Sequence, residues 1–106
     1  MQEWDEIRRA RLVKNEESAR SYNLRRAALE ESAGADDDEP LPFLCECGDP
    51  DCVASLILSL DEYAEGHATP NRFVVRPGHV FPEVERVVAE RGDHWFVEKD
   101  PELLTT

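Results

Sequence analysis

A chain of 106 residues has room for one domain and an appendage, and no stretch in it approaches the roughly 20 apolar residues of a membrane span. Its formal charge of −12 is unevenly placed: residues 1–32 carry seven basic and seven acidic side chains, residues 33–106 five basic and seventeen acidic. An acidic body repels phosphate, so nucleic-acid binding by residues 33–106 is disfavoured, while the basic run from Arg8 to Arg26 is free to meet RNA or DNA, an acidic partner, or the protein's own acidic face.

Residues 3–32 read as one helix, rich in Ala, Leu, Arg and Glu and free of Pro and Gly until Gly34. Its apolar face is thin. Leu12, Asn15, Ala19, Tyr22, Arg26 and Leu29 fall at helical spacing, and two of these six are polar. Such a stripe fits either a solvated helix laid along the domain or a helix that binds a protein partner or a second copy, with Asn15 setting register at the seam.

Residues 33–42 read as a linker. Four consecutive acids, Asp36 to Glu39, repel one another, and Pro40 and Pro42 oppose regular pairing. Phe43-Leu44 then starts a short strand. Val53 to Leu60 is apolar and of strand length, so a buried strand is expected there. Ser59 and Glu62 have the spacing of a capping box, which opens a short helix ending at Gly66. Arg72-Phe73-Val74-Val75 reads as a strand stopped by Pro77-Gly78. Pro82 to Glu90 suits helix or strand. The turn signal Arg91-Gly92-Asp93 and the aromatic, β-branched run His94 to Lys99 favour a hairpin. Residues 100–106 are expected to fray. The fold class is therefore α+β: an N-terminal helix (1–32), a linker (33–42) and a small metal-stapled antiparallel β domain with one short helix (43–99). The last part holds about 65 residues with the linker, a size at which a staple commonly supplements the core.

That staple is the most specific feature of the sequence. All three cysteines, Cys45, Cys47 and Cys52, lie within eight residues. Met1 to Glu6 has neither the basic start nor the apolar run of a secretory signal, so a cytoplasmic location is expected, and clustered cysteines there point to metal rather than disulfides. Thiolates are soft, charged ligands suited to tetrahedral zinc. Gly48 permits a sharp turn, and Asp49-Pro50-Asp51 returns Cys52 to the same point. Three sulfurs need a fourth ligand. His79 follows Pro77-Gly78 directly after a strand and is the preferred one. His67 lies in a less constrained loop, and His94 starts a strand beside Trp95 and Phe96. A filled Cys3His set is a structural zinc site, and a [2Fe–2S] cluster is the alternative.

The run Phe43-x-Cys45-Glu46-Cys47-Gly48-Asp49-x-x-Cys52, followed by Glu62-Tyr63, Arg72-Phe73-x-Val75-x-Pro77-Gly78-His79, Glu83 to Val88 and Val97-Glu98-Lys99, resembles a family of small, mainly actinobacterial proteins. Asn15-Glu16 matches an Asn-Glu pair in that family's N-terminal helical segment, and the resemblance covers residues 8–99. It implies a cytoplasmic location and His79 as a ligand, and it implies no activity.

The sequence has no Gly-rich phosphate loop and no Gly-x-Ser-x-Gly. The expected function is thus not catalysis. It is that of a zinc-stabilised interaction or regulatory module whose basic helix engages a protein or a second copy. A redox or metal sensor that releases its metal when the thiols oxidise is the alternative.

Overall fold

A computed structural model describes residues 2–100, with side chains from residue 6. Helix α1 (Gln2–Ser32) leads into strands β1 (Leu41–Leu44) and β2 (Ser55–Leu58), a short helix α2 (Leu60–Gly66), and strands β3 (Arg72–Val75), β4 (Glu85–Glu90) and β5 (Trp95–Lys99). Two antiparallel sheets result, β1-β2 and β3-β5-β4. The architecture is the expected α+β arrangement.

Each helix stops or starts where local chemistry dictates. Gly34 adopts φ +90°, which an L side chain resists. The N–H of Ala35 reaches Glu30 O at 3.0 Å and that of Gly34 reaches Glu31 O at 3.1 Å, the double bond of a Schellman end. At α2 the capping box forms: Glu62 N–H donates to Ser59 Oγ (3.1 Å) and Ser59 N–H to Glu62 Oε1 (2.9 Å).

The core follows the strand alternation. Leu41, Phe43, Leu56 and Leu58 turn inward and meet Tyr63, Val74 and Phe96, with the Phe43 and Tyr63 rings stacked at 4.5 Å. Cys45 and Cys47 continue this inner surface toward Phe73, Val75 and Val97. Of residues 82–90, 82–84 form a turn and 85–90 the hairpin strand β4, with a bulge between Val87 and Ala89, and Arg91 N–H closes the turn on His94 O at 2.9 Å.

Three expectations are corrected. The run from Val53 to Leu60 is not a wholly buried strand: only Ser55–Leu58 pair, and Ile57 is exposed because β1-β2 has a single covered face. The strand begins at Leu41, inside the stretch read as linker, because Pro42 points outward, opposite Ile57 in the pair, while Leu41 is buried. Before it, Asp37 O accepts the N–H of Asp61, so the acidic run is tied to α2. Of the residues expected to fray, 101–106 lie outside the described residues, and Asp100 N–H donates to Val84 O.

The third correction concerns the seam of α1. Tyr22 and Leu29 are exposed, and the inward stripe is Leu12, Val13, Glu16 and Asn23. It is polar at its centre: Glu16 and Asn23 are both fully buried. Glu16 lies 3.9 Å from Lys99 Nζ, which also sits 4.1 Å over the Phe73 ring. Both Glu16 oxygens and Lys99 Nζ lack hydrogen-bond partners. Burial, reinforced by the nearby Glu85 carboxylate, pushes the Glu16 carboxyl up to about 10.

Because the folded chain holds that proton and the unfolded chain gives it up near 4.5, the contribution of Glu16 to stability falls as pH rises from about 4.5 to about 10. Glu16→Gln should flatten this slope relative to wild type, read by urea denaturation at several pH values. Ser59→Ala should cost about 1 kcal/mol in the same assay.

Candidate metal centre

Backbone geometry explains the unusual Cys-x-Cys spacing. Successive side chains along an extended chain point to opposite faces. Cys45 and Cys47 therefore turn to one side and Glu46 to the other, where it is fully buried. The segment is held extended by Cys45 N–H to Ala54 O (3.1 Å) and Glu46 N–H to Val74 O (2.8 Å). Gly48 ends the run against α1, where a Cβ would stand 2.8 Å from Leu12 Cδ2. Asp49 then folds the loop back, accepting Asp51 N–H on its side chain (2.9 Å) and Cys52 N–H on its carbonyl (3.2 Å).

The fourth residue arrives from beyond β3. In Arg76-Pro77-Gly78-His79 the His79 N–H returns to Arg76 O at 3.0 Å, and Gly78 takes φ +86°. Proline second and a positive-φ glycine third are what such a turn requires. His79 Nδ1 comes to 3.6 Å from both Cys45 Sγ and Cys52 Sγ. Across Cys45, Cys47, Cys52 and His79, the ligand atoms all lie within 4.8 Å of one another. The structure thus brings together the four residues singled out in the sequence.

The other two histidines are elsewhere. His67 packs edge-on against Tyr63, with ring centroids 4.4 Å apart. His94 is buried beside Phe96, with Nδ1 2.8 Å from Asp93.

The electrostatics of the sulfurs suit a dication. Cys45 is held below the ordinary thiol range by the Cys47 thiol beside it, with help from the Arg76 N–H at 3.3 Å. Cys47 is raised by the Cys45 thiol and by burial, and Cys52 is raised chiefly by burial. Three sulfurs this close resist ionising together, and a cation in their midst reverses the balance. Backbone N–H groups of Arg76, Asp49 and Ala54 serve Cys45, Cys47 and Cys52 respectively. Such donors stabilise metal-bound thiolates.

Behind the ligands lies a buried network that sequence reasoning missed. Glu46 Oε2 accepts from Tyr63 Oη (2.6 Å) and Asn23 Nδ2 (2.9 Å), and Oε1 from Val74 N–H (3.1 Å). Burial raises the Glu46 carboxyl against the pull of these donors. Burial, then the Glu46 carboxylate, keeps the Tyr63 phenol protonated.

Compared with known proteins, the chain matches no family model, no curated protein and no solved structure.

Removing the shared acceptor strands three buried donors. Glu46→Ala should therefore destabilise by about 3 kcal/mol or more in urea denaturation, against about 1–3 kcal/mol for Tyr63→Phe, which leaves the carboxylate two of its three donors.

Proposed function

We propose that this chain is a small zinc-binding interaction or regulatory module of the cytoplasm, with a structural Cys3His site formed by Cys45, Cys47, Cys52 and His79. The observation that carries the reading is the distance set. Zinc bonds of about 2.3 Å to sulfur and about 2.05 Å to nitrogen give a tetrahedral edge of about 3.6 Å, and His79 Nδ1 stands 3.6 Å from Cys45 Sγ and from Cys52 Sγ. The zinc would supply charge and a crosslink between the Cys loop and the turn after β3. A [2Fe–2S] cluster divides its ligands between two irons and spreads them further than one tetrahedron. The 4.8 Å span of the four ligand atoms favours a single ion. Four protein ligands also leave a tetrahedral ion no place for a substrate, which supports a non-catalytic role. The cytoplasmic assignment draws on three free thiols, and no helix among the described residues is long and apolar enough to cross a membrane.

The partner surface we assign to the outer face of α1. Ile7, Arg11, Lys14, Tyr22, Arg25 and Leu29 are exposed there at helical spacing, with no acid among them. An acidic protein segment complements this face. A second copy packed antiparallel about Ser18 would set Arg11 against Arg25, which counts against self-pairing. Nucleic acid is disfavoured by the acidic body.

A sensor reading draws on one observation: Cys45 and Cys47 are buried, whereas Cys52 and His79 are only half-buried, so one side of the site is open to oxidants. Mild peroxide separates the two readings, because a sensor loses its metal reversibly and a module keeps it.

Native mass spectrometry of chain purified reduced and without chelator should show one zinc per wild-type molecule and little or none in His79→Ala. Wild type without metal would overturn the proposal, and two irons would move it to the redox class.

A further inference from the structure

We infer that metal occupancy and the docking of α1 are coupled through Asn15 and Asn23, so that the helix is latched to the domain by the metal loop. This rests on the zinc reading above and goes beyond it, because neither asparagine is a ligand.

The latch is built from alternating residues of one strip of backbone. Asn15 Nδ2 donates to Gly48 O at 2.8 Å. Asn23 pairs with Leu44 as an extra strand would: Nδ2 donates to Leu44 O and Leu44 N–H donates to Oδ1, both at 2.9 Å. Asn23 Nδ2 also donates to Glu46 Oε2 at 2.9 Å. Leu44, Glu46 and Gly48 interleave with Cys45 and Cys47. The backbone conformation that aims both sulfurs at one point is thus the one that offers these groups to α1. Leu12 closes over Gly48, with its Cα 3.2 Å from where a Cβ would be.

Beside the apolar contact of Leu12 and Val13 with Val84, the remaining polar anchors of α1 are weaker or longer. Arg8 meets Glu83 at 2.7 Å, but the pair is exposed and such pairs contribute little. Lys99 stands 3.9 Å from Glu16 and 3.7 Å from Glu17, beyond hydrogen-bond reach. Arg20 donates to Pro70 O and, at 3.4 Å, to Thr69 O, which ties the middle of the helix to a surface loop. The buried polar bonds of the interface therefore concentrate on the metal loop.

Residues 45–54 have no helix or strand of their own. Without a cation nothing crosslinks Cys45 and Cys52 to His79 in the turn after β3, and the loop has no regular ladder to hold its shape. When it relaxes, Asn23 and Glu46 lose each other, and their burial becomes a cost. The inward face of α1, with Glu16, Arg20 and Asn23, then turns to solvent as a polar surface present only in the metal-free chain. Coupling of this kind is reciprocal: a helix that docks better when metal binds must tighten metal binding when it docks.

Hydrogen exchange on the full chain, zinc-loaded and stripped, reads the forward direction. Amides of residues 12–26 should lose at least about tenfold protection on stripping, while those of Phe96 and Val97 in β5 stay protected. Competition with a chromogenic chelator reads the reverse. Asn15→Ala and Asn23→Ala should weaken zinc binding about ten- to a hundredfold, with zinc-loaded circular dichroism unchanged, and Ser21→Ala on the exposed side of the helix should leave it as in wild type. Unchanged exchange in α1, or equal zinc affinity in all three variants, would overturn the inference while leaving the zinc site standing. If stripping unfolds the whole chain, the affinity comparison decides. A wild type that takes up no zinc overturns the site and the latch together.

Discussion

The alternation of side chains along Cys45-Glu46-Cys47 is the constraint on which the rest of this structure depends. Extended backbone sends two thiols one way and a carboxylate the other. The thiols line one side of the candidate metal site, and the carboxylate on the other side is fully buried. A buried carboxylate needs donors, which here come from α1 through Asn23, from α2 through Tyr63, and from β3 through the Val74 N–H. One three-residue segment thereby ties both helices and the larger sheet to the candidate metal site.

This explains why α1 looked ambiguous as a sequence. A helix that docks on apolar contacts shows an apolar stripe. This one docks on a mixed stripe: Glu16 and Asn23 share its buried line with Leu12 and Val13, and Tyr22 and Leu29, which periodicity alone marks as inward, face solvent. A search for hydrophobic spacing rotates the helix toward the wrong face. Asn15 was visible as a special position, but its partner is Gly48 O in the same chain.

Elsewhere, legibility followed how local the physics is. The capping box at Ser59, the glycine stop at Gly34 and the Pro77-Gly78 turn depend on a few neighbouring residues, and all three stand where the sequence placed them. The four candidate metal ligands were legible because soft ligands clustered at short range leave few alternatives for a fourth. Burial of Val53 to Leu60 depends on which faces of the β1-β2 pair another layer covers, and that is decided by residues far along the chain. Glu46 was hidden in plain composition, since one acid among 24 carries no mark of being buried.

The central claim is a single tetrahedral ion held by three sulfurs and one imidazole, and X-ray absorption at the zinc edge tests it most directly. The account predicts three sulfurs at about 2.3 Å and one nitrogen at about 2.05 Å, with the nitrogen shell lost in His79→Ala. A shell of oxygens and nitrogens with fewer than three sulfurs, or a second metal at short range, would contradict it.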